Sequence, residues 1–362
     1  MATQFTEAEN PHWKRSFFTI WIGQAFSILG SQIVQFALIW YLARETGSAT
    51  VLAAATLVAM LPPVVLGPFI GSFVDRGNRR RIMLVADASV ALVTIGLAAL
   101  FYFGLIEVWH IYVMMALRAL GGAFHGPAFG ASTSLMVPVE FLARLQGINQ
   151  TMVGGLNIIS APLGALLIET LPMQGVLAVD VVTAIIAIVP LLFVAIPQPE
   201  RRVRASDGQE NTYWEDFREG FTYVWGWKGL LTIILMATAI NFLLTPASAL
   251  TPLLITQHFG GGAIELGWFE AIFSAGVIIG GVALGVWGGF KKRIVTVMVG
   301  LIGLGTGMAI IGWAPGNAFQ IALGGVVCAL MGVWGFTNRN LMNVEEGRGR
   351  EQSEKEASPE MA

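Results

Sequence analysis

The chain has 362 residues, 55% of them hydrophobic and only 12% charged, with a mean hydropathy of +0.69 and a formal net charge of -2. Soluble globular chains carry about 25% charged and roughly 45–50% apolar residues, so this composition excludes a soluble protein with a large core. It fits an all-α polytopic membrane protein, in which the placement of charge matters more than its sum.

The polar start, MATQFTEAENPHWKR, leads into an apolar run far longer than a signal-peptide core, so that run reads as a retained first membrane helix. A spanning helix needs about 20 mostly apolar residues. In chain order the segments that meet this need are 17–42, 50–72, 82–104, 108–134, 147–169, 174–196, 229–256, 264–288, 294–313 and 318–337. The longest polar connection, PQPERRVRASDGQENTYWEDFREG, falls between the sixth and seventh. The expected organisation is six helices in 1–196, a cytoplasmic linker in 197–228, four helices in 229–337 and a polar, disordered tail in 338–362.

Basic residues set the orientation. With the N-terminus in the cytoplasm and strict alternation, 19 of the 21 lysines and arginines fall on cytoplasmic segments. Arg44 alone lies outside and Arg118 falls within a span. Both termini are therefore expected in the cytoplasm, with the chain multi-pass in the plasma (inner) membrane. Glycines four apart, such as Gly67 and Gly71, Gly122 and Gly126, Gly276 and Gly280, Gly281 and Gly285, and Gly303 and Gly307, are expected at close helix crossings.

A charge in mid-membrane costs about 2.5–3.5 kcal/mol on insertion scales and persists where it faces a cavity or a partner. Arg118 lies about ten residues into the fourth span, with Gly122 and His125 expected on the same face. His125 suits proton handling or plain polar packing. Asp180 and Glu270 lie inside the sixth and eighth spans, and either could accept a proton or pair with Arg118. Asp87, about a turn and a half past Arg81, is expected to pair with the arginine cluster before it. Gln24, Gln32 and Gln35 on the first helix, with Asn149 and Asn157 on the fifth, suit either a cavity for an amphipathic ligand or interhelical hydrogen bonds.

No GxxxxGK[ST] motif is present, so no bound nucleotide is expected; no HExxH and no Cys/His ligand set points to a metal. The single cysteine, Cys328, reads as an inert thiol in an apolar run. No cofactor and no nucleic-acid partner are expected. Transport would draw on an ion gradient, since the membrane potential supplies about 2.3 kcal/mol per charge per 100 mV.

The stretch GSFVDRGNRR, Gly71 to Arg80, resembles the loop between helices two and three of the major facilitator superfamily, roughly G-x-x-x-D-[RK]-x-G-[RK]-[RK]. Gly71, Asp75, Arg76, Arg79 and Arg80 match. Asn78 stands where the family has glycine, and asparagine tolerates a left-handed backbone best after glycine. Arg118, Gly121 and Gly122 match the family's fourth-helix pattern, whereas the fifth-helix signature G-P-x-x-G-G is reduced to Ala161-Pro162-Leu163-Gly164-Ala165. WIGQAFSILGSQIVQFALIWYL, REGFTYV and GGGAIELGWFEAIFSAG are similar to the macrolide-efflux and siderophore-exporter branch.

The resemblance implies two six-helix bundles around a cavity, alternating access, and export of a small hydrophobic or amphipathic substrate coupled to proton entry. It implies a gating loop made of Gly71, Asp75, Arg76, Arg79 and Arg80 with Asp87, a central charge at Arg118, proton acceptors at Asp180 or Glu270, and a monomeric unit in the lipid bilayer. Ten helices against the family's twelve leave an incomplete, four-helix C-terminal bundle, so a truncated member is expected, with Asp75 lacking the start of an eleventh helix as partner. The alternative is a non-transporting remnant or membrane scaffold.

Overall fold

A computed structural model describes residues 13–198, 218, 222, 224–312, 330 and 333. Their regular elements are all helical: α1 (Trp13–Thr46), α2 (Ala49–Arg76), α3 (Arg79–Tyr102), α4 (Val108–Met136), α5 (Val139–Thr170), α6 (Met173–Phe193), α7 (Lys228–Leu253), α8 (Ala263–Trp287) and α9 (Arg293–Gly312). A single π-helical turn, Leu254–His258, follows α7. Among the described residues, seven helices are long and apolar enough to cross a membrane. Of the remaining expected spans, α4 carries Arg118, His110 and His125, the apolar stretch of α9 is short (Ile294–Gly307), and 318–337, apart from Leu330 and Val333, lies outside the described residues. Most of the expected linker and all of the expected tail also lie outside them.

Several helices outrun the apolar segments that announced them. Helix α1 has 34 residues and α5 begins at Val139 rather than 147, taking in Glu140 and Arg144. Hydropathy marks only the lipid-facing portion of a helix, while the backbone ladder continues into polar flanks until a cap or proline ends it. Pro138 and Pro172 precede α5 and α6, where a missing N–H costs nothing. Ser48 caps α2, accepting from Val51 N–H at 3.4 Å.

Two compact units separate among the described residues. One holds α1–α6 with Ile255–Ile279. The other holds α7, Leu254 and the chain from Gly280 through α9, where Met236 and Ile240 of α7 pack with Ile294 and Met298 of α9.

In the first unit α1 packs on α6 and α5, α2 on α4, and α3 on both α4 and α6. The buried stripe of α4 (Ile111, Met115, Arg118, Gly121, Ala128, Ser132 and Met136) keeps the three- and four-residue spacing of one helical face. Apolar clusters close this bundle at two levels. Trp13, Phe17 and Ile20 meet Met83, Met136 and Leu191 at one; Ile33, Ala37 and Val176 meet at the other. Along α1 the polar residues Gln24 and Ser31 fall between these levels. Outward-facing side chains such as Leu57, Val64, Leu92 and Phe193 are exposed and apolar, as a lipid-facing surface requires.

The close helix approaches differ from those expected. Among the described residues, added Cβ atoms at Gly67, Gly71, Gly122, Gly126, Gly276, Gly280, Gly281, Gly285, Gly303 and Gly307 would meet nothing within 4 Å. The tight positions include Gly23 and Gly30, seven residues apart on α1. A Cβ on Gly23 would lie 3.0 Å from the Ile186 carbonyl, and one on Gly30 would lie 3.1 Å from Asp180 Cα. Gly164 closes on Phe36, while Gly267 closes on Ala161, Pro162 and Ala165, so the reduced fifth-helix signature is a packed seam. A four-residue spacing marks a crossing only when that face meets a neighbour, and at these ten positions no described residue supplies one.

Gly30→Ala should therefore overpack the α1–α6 seam and cost about 1–3 kcal/mol. Gly122→Ala should be neutral or gain up to about 1 kcal/mol from helix propensity. Thermal unfolding of the two purified variants checks the contrast.

Candidate functional site: a layered polar core in the six-helix bundle

Arg118 is 9% exposed and belongs to α4, where burial of a guanidinium in an apolar bundle demands full pairing. Its partner is Asp180 of α6, 1% exposed, with Arg118 Nη1 at 2.5 Å from Asp180 Oδ2. The same nitrogen donates to Thr94 Oγ1 on α3. Thr94 Oγ1 lies 2.9 Å from Asp180 Oδ2, and Ser31 on α1 donates to Asp180 Oδ1 at 3.1 Å. Four helices thus converge on one carboxylate. Of the two acids expected as partners, Asp180 takes the place. Glu270 is half-buried on α8 and has no hydrogen bond or ion pair among the described residues.

A second layer lies seven residues along each of three helices. Gln24 precedes Ser31 by seven, Asp87 precedes Thr94 by seven, and His125 follows Arg118 by seven on a helix running the other way. Seven residues are two turns, or about 10.5 Å of rise. Gln24 Nε2 donates to Asp87 Oδ2 at 3.0 Å, and His125 Nε2 faces Asp87 Oδ1 at 3.5 Å. This corrects the pairing expected for Asp87, because its side chain turns inward to α1 and α4 while Arg79 and Arg80 engage backbone carbonyls. Of the two roles open to Gln24, it takes the interhelical hydrogen bond: it is fully buried and committed to Asp87.

The remaining amides divide. Gln32 Nε2 donates to Asn157 Oδ1 at 2.8 Å, tying α1 to α5. Gln35 is exposed. Asn149 Oδ1 is buried with no partner among the described residues.

At the α2–α3 turn, Arg76 ends α2 and Gly77 N–H donates to the Phe73 carbonyl at 2.9 Å. Asn78 has φ -76°, so the left-handed backbone expected there is not used. Its side chain instead caps α3, accepting from Arg81 N–H at 3.0 Å, a role glycine cannot fill. Arg80 reaches the end of α6, donating from Nε and Nη2 to the carbonyls of Leu191 and Leu192 at 2.5 Å. These lie in the last turn, where carbonyls lack intrahelical donors and the helix dipole favours a cation. Arg79 is 8% exposed and donates to the Ala131 carbonyl of α4 at 3.2 Å; its backbone N–H donates to Gln198 Oε1 at 3.1 Å. Asp75 stays largely exposed, 3.8 Å from Arg79 Nη2. Gly71 and Arg76 are exposed.

Sequence reading missed Ser31 and Thr94, which complete the shell around Asp180. The signal was available as the shared seven-residue offset of polar positions on three helices.

A match to the model of the Major Facilitator Superfamily runs over residues 20–344. Macrolide efflux protein A of Streptococcus pyogenes is 36% identical over 322 residues, covering 89% of this chain and 78% of that protein. Macrolide efflux protein A of Enterococcus faecalis is 34% identical over 288 residues, covering 79% and 87%. Among solved structures, a bacterial homolog of the human lysosomal transporter Spinster, inward-facing and unoccupied, superposes with a TM-score of 0.64 at 14% identity, covering 92% of this chain and 78% of that one. With a helical bundle of this kind, membrane-spanning helices and a charged pair at its centre, the chain is a multi-pass membrane transporter, not an enzyme, and belongs to the Major Facilitator Superfamily.

Proposed function

We propose that the chain exports hydrophobic or amphipathic small molecules (a drug, macrolide or siderophore) from the cell, by alternating access and in exchange for protons. The observation that carries this reading is the buried Arg118–Asp180 pair, joined to α1, α3, α4 and α6, in a chain related to macrolide efflux proteins. A proton on Asp180 would neutralise the carboxylate that Arg118, Thr94 and Ser31 all address. Arg118 would then be a buried cation without a counter-charge, a state that costs about 3–5 kcal/mol when one partner of such a pair is lost. Rearrangement of the α1–α6 seam at Gly30 relieves that cost, and this is how proton binding would drive a conformational change.

Glu270 is the second acid we assign to coupling. Gln32 with Asn157, and the exposed Gln35, are the polar groups we assign to the substrate path, with Gln24 withdrawn to the bundle interior. Gly71 to Arg80 would act as the gate on the cytoplasmic face, with both termini inside and the 197–228 segment linking the two bundles 1–196 and 229–337. A single chain would form the transport unit, in the cell membrane.

Two outcomes test this. In everted vesicles holding an imposed proton gradient, addition of a macrolide should dissipate the gradient in the parent. Asp180→Asn and Arg118→Ala should each slow this at least tenfold, equivalent to about 1.4 kcal/mol. Parent-like rates in either would remove the pair from the coupling step. Glu270→Gln should slow the same signal without abolishing it, and a rate equal to the parent's would strike Glu270 from the coupling residues.

A further inference from the structure

The inner layer has a property that the Arg118–Asp180 layer lacks: it is incomplete. Gln24 is fully buried, and its Oε1 has no donor among the described residues. His125 Nε2 is buried and likewise without a hydrogen bond, although it faces Asp87 Oδ1 at 3.5 Å. Asp87 is 7% exposed. Three helices therefore bring together a carboxylate, an imidazole and an amide whose oxygen is unused.

Charge decides what is missing there. Between Arg15 and Arg44, α1 carries no charged residue, so it offers only neutral Gln24. Between Ala49 and Val74, α2 has none; its charges, Asp75 and Arg76, are at its end. Past Arg81, α3 has only Asp87. Helix α4 adds His125 and, two turns along, Arg118; α6 has only Asp180. Arg118 and Asp180 cancel one another. Asp87 with a neutral His125 then leaves one net negative charge inside the bundle. One proton restores neutrality, on Asp87 or on His125.

We propose that Asp87, His125 and Gln24 form a second proton-binding site, which holds one proton shared between the carboxylate and the imidazole. With the proton on Nε2, His125 becomes a donor toward Asp87 Oδ1 while Gln24 Nε2 keeps its bond to Oδ2. With the proton on the Asp87 carboxyl, a rotation of the Gln24 amide presents its free Oε1 as acceptor, since an amide carries both a donor and an acceptor end. The site thus satisfies Asp87 in either form. Its seven-residue offset from Ser31, Thr94 and Arg118 on the same three helices places it one step along a path toward the α2–α3 turn. No bond other than N–H or O–H forms or breaks.

This deepens the proton-coupled reading, but its test does not need transport. The full chain, purified into lipid nanodiscs, would be titrated while the protonated-carboxyl stretch is followed by infrared difference spectroscopy. Asp87→Asn should lose one carboxyl signal that Asp180→Asn retains. His125→Gln should keep that signal but change its titration, because the imidazole no longer shares the proton with the carboxylate. Gel-filtration profiles and melting curves establish that the variants are folded. Identical titrations in the parent, Asp87→Asn and His125→Gln would overturn the site. If the site titrates as described while macrolide addition dissipates no proton gradient, the site stands and the coupled-export reading falls.

Discussion

Everything in the six-helix bundle is arranged around one constraint: a guanidinium cannot remain in an apolar interior without an anion beside it. Arg118 is on α4 and its anion is on α6, so those helices must stay in register at the level of residues 118 and 180. The lone pairs left on Asp180 then recruit Ser31 and Thr94. For Asp180 to be reached from α1 at all, α1 must come close, and Gly30 is what lets it, with Asp180 Cα against the space its missing Cβ would fill. Packing and electrostatics are thus one feature. A larger residue at position 30 and a neutral one at 180 would damage the same junction.

The α2–α3 turn works by a different rule. Four arginines in six residues suggest electrostatic retention on the cytoplasmic side, but two of them serve the ends of other helices. Arg80 supplies donors to the last carbonyls of α6, and Arg79 reaches a carbonyl of α4. The start of α3 is thereby fixed to the end of α6, the point from which the chain leaves the bundle, and Gln198 adds a bond to the Arg79 backbone. A turn that moves would move the exit of α6 with it.

The helical class, the seven membrane-capable helices among the described residues and the family were legible because lipid imposes a crude requirement of long apolar runs. Pairing was less so. Asp180 and Glu270 are equivalent in hydropathy and depth, and only the packing of α4 on α3, and α3 on α6, separates them. Asp87 lies near an arginine cluster in sequence, yet a helix turns its side chain away from residues six positions back toward α1 and α4. The glycine pairs misled because a four-residue spacing describes a helix face but not what covers it. The seven-residue offsets, 24 to 31, 87 to 94 and 118 to 125, carried more information than any single residue, since two polar layers in a bundle require them on each helix that contributes to both.

The claim that the Arg118–Asp180 pair is the organising contact is tested most directly by a double-mutant cycle on thermal stability, using Arg118→Met, Asp180→Leu and both together. Each single change should destabilise by about 3–5 kcal/mol, because each strands a buried charge. The double variant, with no charge left to strand, should be more stable than either single. Losses that simply add would mean the two groups do not depend on one another, and would contradict the account.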